Sequence, residues 1–355
     1  MENTWGFIMY DYLIVGAGIT GSVIAHEMHK LGKKVLVIDS RDHVGGNCFS
    51  KDINGVHVNL YGGHFFHTNS KSIYDYVNNI CPFTPYYHRV KVNYKDNIYS
   101  FPINMLTFFQ LWGTITPEQA KAKIESVKLN IVPTNFEEKV LSMVGEEVYY
   151  KFFYGYTKKH WGVEPKELSA KLISRIPIRF TYDDRYSSDL YQGMPEQGYD
   201  YFFNKLLDGI EVKLDTQYNY ETIASKTIYT GSIDQYYKYI YGTLPYRSVY
   251  HTYSDEDTGA ATINYTSEDI KYTRQITYNY FYPQNRAEKV TATEFASDYG
   301  PPYYPIDTEK SKSLYNKYKE IKNDSVIFAG RLGTYAYLDM DKALASALKI
   351  VKDEL

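Results

Sequence analysis

The stretch YDYLIVGAGITGSVIAHEMHKLGKKVLVIDS, residues 10–40, sets the architecture of this chain. Tyr10 to Val15 alternate and then run apolar, as a buried parallel strand does. Gly16-Ala17-Gly18-Ile19-Thr20-Gly21 follows at once, and Ser22 to Leu31 has helical spacing. A second strand, Lys34 to Ile38, ends at Asp39, 23 residues after Gly16. Strand, glycine turn, helix, strand and acid in this order form a dinucleotide-binding βαβ unit. Gly16 serves the tight turn, Gly18 lets a pyrophosphate approach the backbone, and Gly21 lets helix and strand pack closely. Free N–H groups and the dipole at the helix start favour phosphate charge, and Asp39 can accept from ribose hydroxyls.

Downstream, Arg41 to Asn47 reads RDHVGGN. The Gly45-Gly46 pair offers bare backbone along which a long ligand continues past the first pyrophosphate site. This arrangement resembles FAD-binding flavoproteins rather than NAD dehydrogenases.

Composition bounds the rest. A chain of 355 residues is too long for one small core and fits two or three domains. Its 44% hydrophobic and 23% charged residues exclude wholesale disorder. A net charge of −3 without a basic block argues against a nucleic-acid surface. Cys48 and Cys81 cannot build a disulfide framework or a cysteine-rich zinc site, and His64 and His67 lack a placed carboxylate or thiol to complete a metal site. No apolar run suits a membrane helix and MENTWGFIMYD lacks a signal-peptide pattern, so a soluble, cytoplasmic protein is expected. The terminal letters KDEL spell a retention address, but they also continue the amphipathic helix DKALASALKIVKDEL, which is the preferred reading. Tyrosine occurs 40 times. AT-rich coding accounts for part of this, and a cleft lined by rings and phenols for the rest.

From Pro102 to about Arg175 the pattern is helical, with Pro117 and Pro165 in first turns and Asn135 as an N-cap ahead of Glu138. From Pro177 to about Tyr304 strands dominate: IRFTY, AATINYT, YTRQITYNYFY and KVTATEF. GIEVKL, KTIYTG and SVIFAGRLG return to the dinucleotide domain. The expected fold class is α/β. A discontinuous Rossmann-like domain spans 9–85, 195–245 and 320–355. A helical domain covers 101–175, and an antiparallel sheet domain covers 86–100, 176–194 and 246–319.

With these pieces placed, the chain resembles the UDP-galactopyranose mutase family from Tyr10 to about Lys352. The resemblance is carried by YGGHFFHTN (61–69), YKDNIYSFPINM (94–105), GYTKKHWG (155–162), RIPIRFTYDDRY (175–186), IYTGSIDQYY (228–237), YTR (272–274), PYYPI (302–306) and GRLGTYAYLDM (330–340). It implies a sheet domain of six strands, a homodimer, FAD as cofactor, and a reductant such as NAD(P)H or a flavin reductase system. The implied reaction contracts UDP-galactopyranose to UDP-galactofuranose, with N5 of reduced FAD attacking the anomeric carbon and displacing UDP. The same chemistry on another nucleotide sugar (UDP-N-acetylgalactose, a deoxy- or heptosyl sugar) is the alternative. A flavin oxidoreductase or an inactive nucleotide-sugar binder follows behind.

Residue by residue, the resemblance makes Arg175 and Arg274 the pyrophosphate arginines, Arg175 on a loop that closes over substrate. Phe152 and Tyr156 match the uracil-stacking pair, with Trp161 beside the sugar. Tyr186, Tyr304 and Tyr337 match phosphate-binding phenols, and Asp339 follows them, with a second possible role as N-cap of the last helix. His67 matches the histidine near the isoalloxazine, and His88 and Asn264 complete the substrate set. Gly16, Gly18, Gly21, Asp39, Gly45, Gly46, Asn47, Val212, Arg247, Arg331 and Met340 make up the flavin surroundings. Ser187-Ser188-Asp189 replaces a Phe-Ser-Asp common in bacterial relatives, QITYNYF follows Arg274 where relatives carry Glu and His, and Gly63 sits where the side chain affects the fit of an N-acetyl group. These departures bear on the sugar, not on the flavin or pyrophosphate machinery.

Overall fold

The computed structural model describes residues 9–175, 177–220, 223–282 and 288–355, without the side chains of 174 and 175. Five parallel strands form its first sheet, in the order Glu211–Lys213, Val35–Ile38, Tyr10–Val15, Ala224–Tyr229, Val326–Phe328. Val35 to Ile38 are buried on both faces, which is why this strand is an unbroken aliphatic run. Helix Ile19–Lys30 and the last helix, Met340–Asp353, pack together on the sheet. The terminal letters belong to this packing: Glu354 accepts from Lys226 Nζ at 2.7 Å and from the Tyr12 hydroxyl at 3.1 Å.

The second large sheet has seven strands, not the six expected, and is mixed rather than antiparallel. Its order is Tyr304–Pro305, Tyr246–Ser254, Thr291–Ser297, Arg274–Thr277, Thr262–Tyr265, Val90–Tyr94, Asn97–Phe101. The one parallel pair joins Val90–Tyr94 to Thr262–Tyr265. The whole helical domain intervenes between them, and a strand returning by so long a crossover is not held to hairpin polarity.

Two further expectations are corrected. The segment IRFTY (178–182) forms no strand; it runs as irregular chain and bends. Tyr191–Pro195, partly assigned to the sheet domain, is instead the middle of a three-stranded sheet with Phe66–Thr68 and Phe83–Pro85.

Local chemistry places the helical domain. Thr116 caps Pro117–Val127 in a reciprocal capping box, with Pro117 in the first turn, and Asn135 Oδ1 accepts from Glu138 N–H at the start of Phe136–Val148. A π-helical turn, Tyr149–Tyr154, then leads into Gly155–Trp161. Pro165 opens a single 3₁₀ turn, and Ala170–Arg175 forms another. Val140, Val144 and Val148 of this domain share one core with Val90, Val92 and Val249 of the mixed sheet. The helices therefore pack on the mixed sheet and leave a cavity where both meet the C-terminal part of the Rossmann-like domain.

Candidate active site

The dinucleotide end is built by close backbone approach. A Cβ on Gly21 would lie 1.9 Å from the Gly16 carbonyl, so helix and strand can meet only through glycine here. Gly18 is the N-cap of Ile19–Lys30 and forms a parallel bridge with Gly45, while a Cβ on Gly46 would lie 2.9 Å from the Gly18 Cα. The two glycine turns thus meet through bare backbone at Gly18, Gly45 and Gly46. Asp39 accepts from Ala17 N–H at 2.7 Å and from Arg41 N–H at 2.9 Å. Its carboxylate therefore closes the glycine loop, and each oxygen keeps a lone pair for a ribose. Arg41, which sequence reading passed over, donates to Asn47 Oδ1 at 2.9 Å and lies over the Tyr61 ring. Its Nη1 is buried without a protein partner, a donor suited to an oxygen of the cofactor. Val212 sits on the edge strand beside Val37.

A cavity of about 210 Å³ lies beside the dinucleotide end. His67, His88, Phe152, Tyr156, Trp161, Tyr186, Asn264, Arg274, Tyr304, Arg331, Tyr337, Asp339 and Met340 line it, together with Gly63 and His64. Strand register puts Asn264 directly opposite Arg274. Arg274 Nη2 donates to Glu294 Oε2 at 2.7 Å, His251 Nε2 lies 3.3 Å from the same oxygen, and Thr273 donates to Oε1 at 3.0 Å. Burial alone would raise the Glu294 carboxyl, but Arg274 and His251 hold it far below the usual carboxylate range. Arg274 Nε remains buried without a protein partner, so the guanidinium retains unused donor capacity beside the cavity. Glu294 and His251 were missed in the sequence, because only the pairing of three strands brings them to Arg274.

Phenols and imidazoles shape the remaining walls. Tyr304 and Tyr337 stack at 5.9 Å, and the Arg331 guanidinium lies 5.2 and 4.8 Å from their ring centres. Arg331 also donates to the Tyr303 and Leu338 carbonyls. Burial pushes the Tyr304 hydroxyl up to about 12, so it stays protonated and able to donate at neutral pH. His67 Nδ1 lies 2.6 Å from Asp189 Oδ2. Burial lowers His64 to about 4 and His88 to about 3, keeping both imidazoles neutral. Asp339 occupies the N-cap position of the last helix but does not cap it with its side chain.

Three expected residues fall elsewhere or stay open. Arg247 is not among the cavity-lining side chains; it donates to the His160 and Lys159 carbonyls and pairs with Asp298. It thereby fixes the end of the helix carrying Trp161. Phe152 is 2% exposed and packs with Phe101 and Tyr99, so most of its surface belongs to the core although its edge reaches the cavity. The side chain of Arg175 lies outside the described residues; its backbone ends Ala170–Arg175. Among the described residues no group of His, Cys, Asp or Glu suits a metal ion, and no helix is long and apolar enough to cross a membrane.

Residues 151–337 match the family model for UDP-galactopyranose mutase. The chain belongs to this family. Residues 14–80 separately match an NAD(P)-binding Rossmann-like domain. Across 97% of the chain it is 39% identical to a probable UDP-galactopyranose mutase of Klebsiella pneumoniae, covering 94% of that protein. It is 37% identical over 96% of its length to the dTDP-fucopyranose mutase of Escherichia coli, covering 97% of that protein. The fold is that of a crystal structure of reduced UDP-galactopyranose mutase, at a TM-score of 0.76 and 15% identity over 97% of this chain and 95% of that one. As a mutase-family isomerase, the protein has this cavity set beside its Rossmann-like unit.

Proposed function

We propose that this chain contracts a nucleotide-linked pyranose to its furanose on reduced FAD, with UDP-galactopyranose as the first candidate. The observation carrying this reading is Arg274. A guanidinium with free donor capacity, held by a buried acid among phenols, suits a pyrophosphate leaving group and has no use for an amine or hydrocarbon substrate. The paired glycines and the buried, unpartnered Arg41 Nη1 fit FAD. When bound, reduced FAD supplies a nucleophilic N5 for the anomeric carbon.

The chain's own residues do the rest. Arg274, and Arg175 from its loop, neutralise the pyrophosphate as the glycosidic bond breaks and hold UDP for its return. Tyr186, Tyr304 and Tyr337 donate to phosphate oxygens. Tyr156 and Trp161 give the base and sugar a ring surface and keep water out, with Phe152 behind them. Asp189 orients the His67 ring, and His88 and Asn264 meet the sugar hydroxyls. A cytoplasmic homodimer, reduced by NAD(P)H or a flavin reductase system, completes the proposal.

A second reading, dTDP-fucopyranose as substrate, is favoured by the similarity to the Escherichia coli enzyme of that name. Ile276, a cavity-lining side chain 3.5 Å from where a Cβ on Gly63 would lie, gives the cavity an apolar surface there that suits a methyl group. The test is to incubate dithionite-reduced enzyme with UDP-galactose and with dTDP-fucose and to analyse products by NMR. Furanose is expected only from reduced enzyme and with one nucleotide sugar strongly preferred. Equal turnover by oxidised enzyme under anaerobic conditions overturns the mechanism, and no furanose from either sugar overturns the function.

A further inference from the structure

Within GYTKKHWG, Lys159 has surroundings unlike those of an ordinary surface lysine. Its Nζ lies 2.8 Å from each of the Tyr265, Ser267 and Ile270 carbonyl oxygens and 3.1 Å from that of Tyr272. An ammonium has three protons, so four acceptors must share them, and all four dipoles point their negative ends at one place. Such a convergence is unfavourable without a cation at its centre.

The four carbonyls lie at the end of Thr262–Tyr265 and along its connection to Arg274–Thr277. This connection has little hydrogen bonding of its own. Tyr265 and Thr273 N–H groups donate to Thr273 and Glu294 carbonyls at one end, and Thr266 N–H donates to Asn93. Lys95 N–H donates to Ser267 Oγ at 3.0 Å, and further contacts run to the helical domain. Thr266 Oγ1 donates to the Lys151 carbonyl at 2.6 Å, and a Cβ on Gly155 would lie 2.2 Å from the Thr266 carbonyl. The neighbouring Lys158 adds pairs to Glu164 and Glu268, but these lie at the surface. Lys159 alone reaches inside and replaces a missing ladder with one charged centre.

What lies at the ends of this joint gives it meaning. On one side, Gly155–Trp161 carries Tyr156 and Trp161 into the cavity; on the other, the connection begins after Asn264 and delivers Arg274. We propose that Lys159 is a positioning residue for the nucleotide-sugar site, its ammonium locking the 265–273 segment, and with it Asn264 and Arg274, onto the helix that presents Tyr156 and Trp161. A relaxed joint would let the ring wall and the guanidinium drift relative to each other while leaving the dinucleotide end untouched. This inference rests on the reading of the cavity as a nucleotide-sugar site.

The test uses full-length flavoprotein carrying Lys159→Met, which keeps the apolar stem and removes the donors. Binding of UDP and of dTDP is measured by calorimetry on the oxidised protein, and kcat and KM on the reduced one. The expected result is unchanged flavin content, a Kd and KM raised roughly tenfold or more, and a smaller change in kcat. A lowered Tm with unaltered Kd and KM would make Lys159 a purely structural residue and overturn the proposal. Should Lys159→Met fail to fold, Thr266→Val removes a neighbouring bond of the same joint. It should raise Kd in the same direction by a lesser factor, and an unchanged Kd there overturns the proposal equally. Wild-type protein that binds neither nucleotide would refute the reading of the cavity; wild type that binds, with a variant that binds as well, refutes only the role of Lys159.

Discussion

Arg274 and Glu294 face each other across adjacent antiparallel strands, Nη2 to Oε2 at 2.7 Å, with the carboxylate wholly withdrawn from water. His251 opposes Glu294 from the next strand, so base, acid and imidazole form one row across the sheet. Taking these charges from solvent is costly unless they remain paired, and the geometry keeps them so.

Glu294→Ala should therefore destabilise the protein by about 3–5 kcal/mol, because it leaves the guanidinium buried and unpaired. Saturating UDP or dTDP should restore part of that loss, since a pyrophosphate supplies the missing negative charge. Chemical denaturation with and without nucleotide measures both. A variant as stable as wild type would show that the pair contributes nothing net.

The two buried histidines give a pH signature. His64 and His88 have folded values near 4 and 3, below the ordinary 6.5, because burial disfavours their charged forms. The unfolded chain thus binds more protons than the native one between pH 6.5 and 4, and stability falls as pH falls through that window. Each group contributes about 1.4 kcal/mol per pH unit within its window. Stability measured from pH 7 to pH 5 should decline, and more gently in His88→Gln. A flat profile in wild type would show that neither group titrates as described.

Two aromatic substitutions should separate core from site. Phe152→Ala should cost about 3–5 kcal/mol of stability, as truncation of a buried phenylalanine does. Tyr156→Ala should leave the fold near wild type and weaken nucleotide binding by about 1–3 kcal/mol, the range for a lost ring–base stack. Calorimetric binding beside thermal unfolding distinguishes the two, and the opposite pattern would exchange their roles.

For Arg175, the expected outcome is kinetic. Arg175→Ala should keep the fold and flavin spectrum while losing about 10²–10³ in turnover, the typical effect of removing one donor to developing charge. Arg175→Lys should recover little, because an ammonium lacks the planar fork. Near-normal steady-state turnover on reduced enzyme would return Arg175 to a solvated role.

What the sequence disclosed was local. The glycine fingerprint, Pro117 in a first turn and the Asn135 cap depend on residues a few positions apart, and they stand where their chemistry requires. The nine-residue strand Tyr246–Ser254 escaped notice because its burial does not alternate: it is buried early and exposed toward its end. Phe152 and Tyr156 are four apart, but the π-helical turn between them breaks the 3.6-residue period on which a shared face rests. Glu294, His251 and the carbonyls around Lys159 become neighbours only through strand pairing and loop packing, and no short window of sequence contains them. Motif resemblance supplied the cavity residues that periodicity alone would have assigned to the core.

The parallel sheet has a temporal side. Its strand Val326–Phe328 pairs with Ala224–Tyr229 only after the chain has passed through both inserted domains, although Tyr10–Val15 is made first. During synthesis the glycine-rich half-site therefore exists for most of the time without its completed sheet, with apolar strand faces and an open edge exposed. Closure across such separations is slow, because loop entropy must be overcome before the contacts form. The nascent chain is thus most vulnerable to aggregation just before its last strand docks, and a dinucleotide at the glycine turns would favour the docked state by mass action.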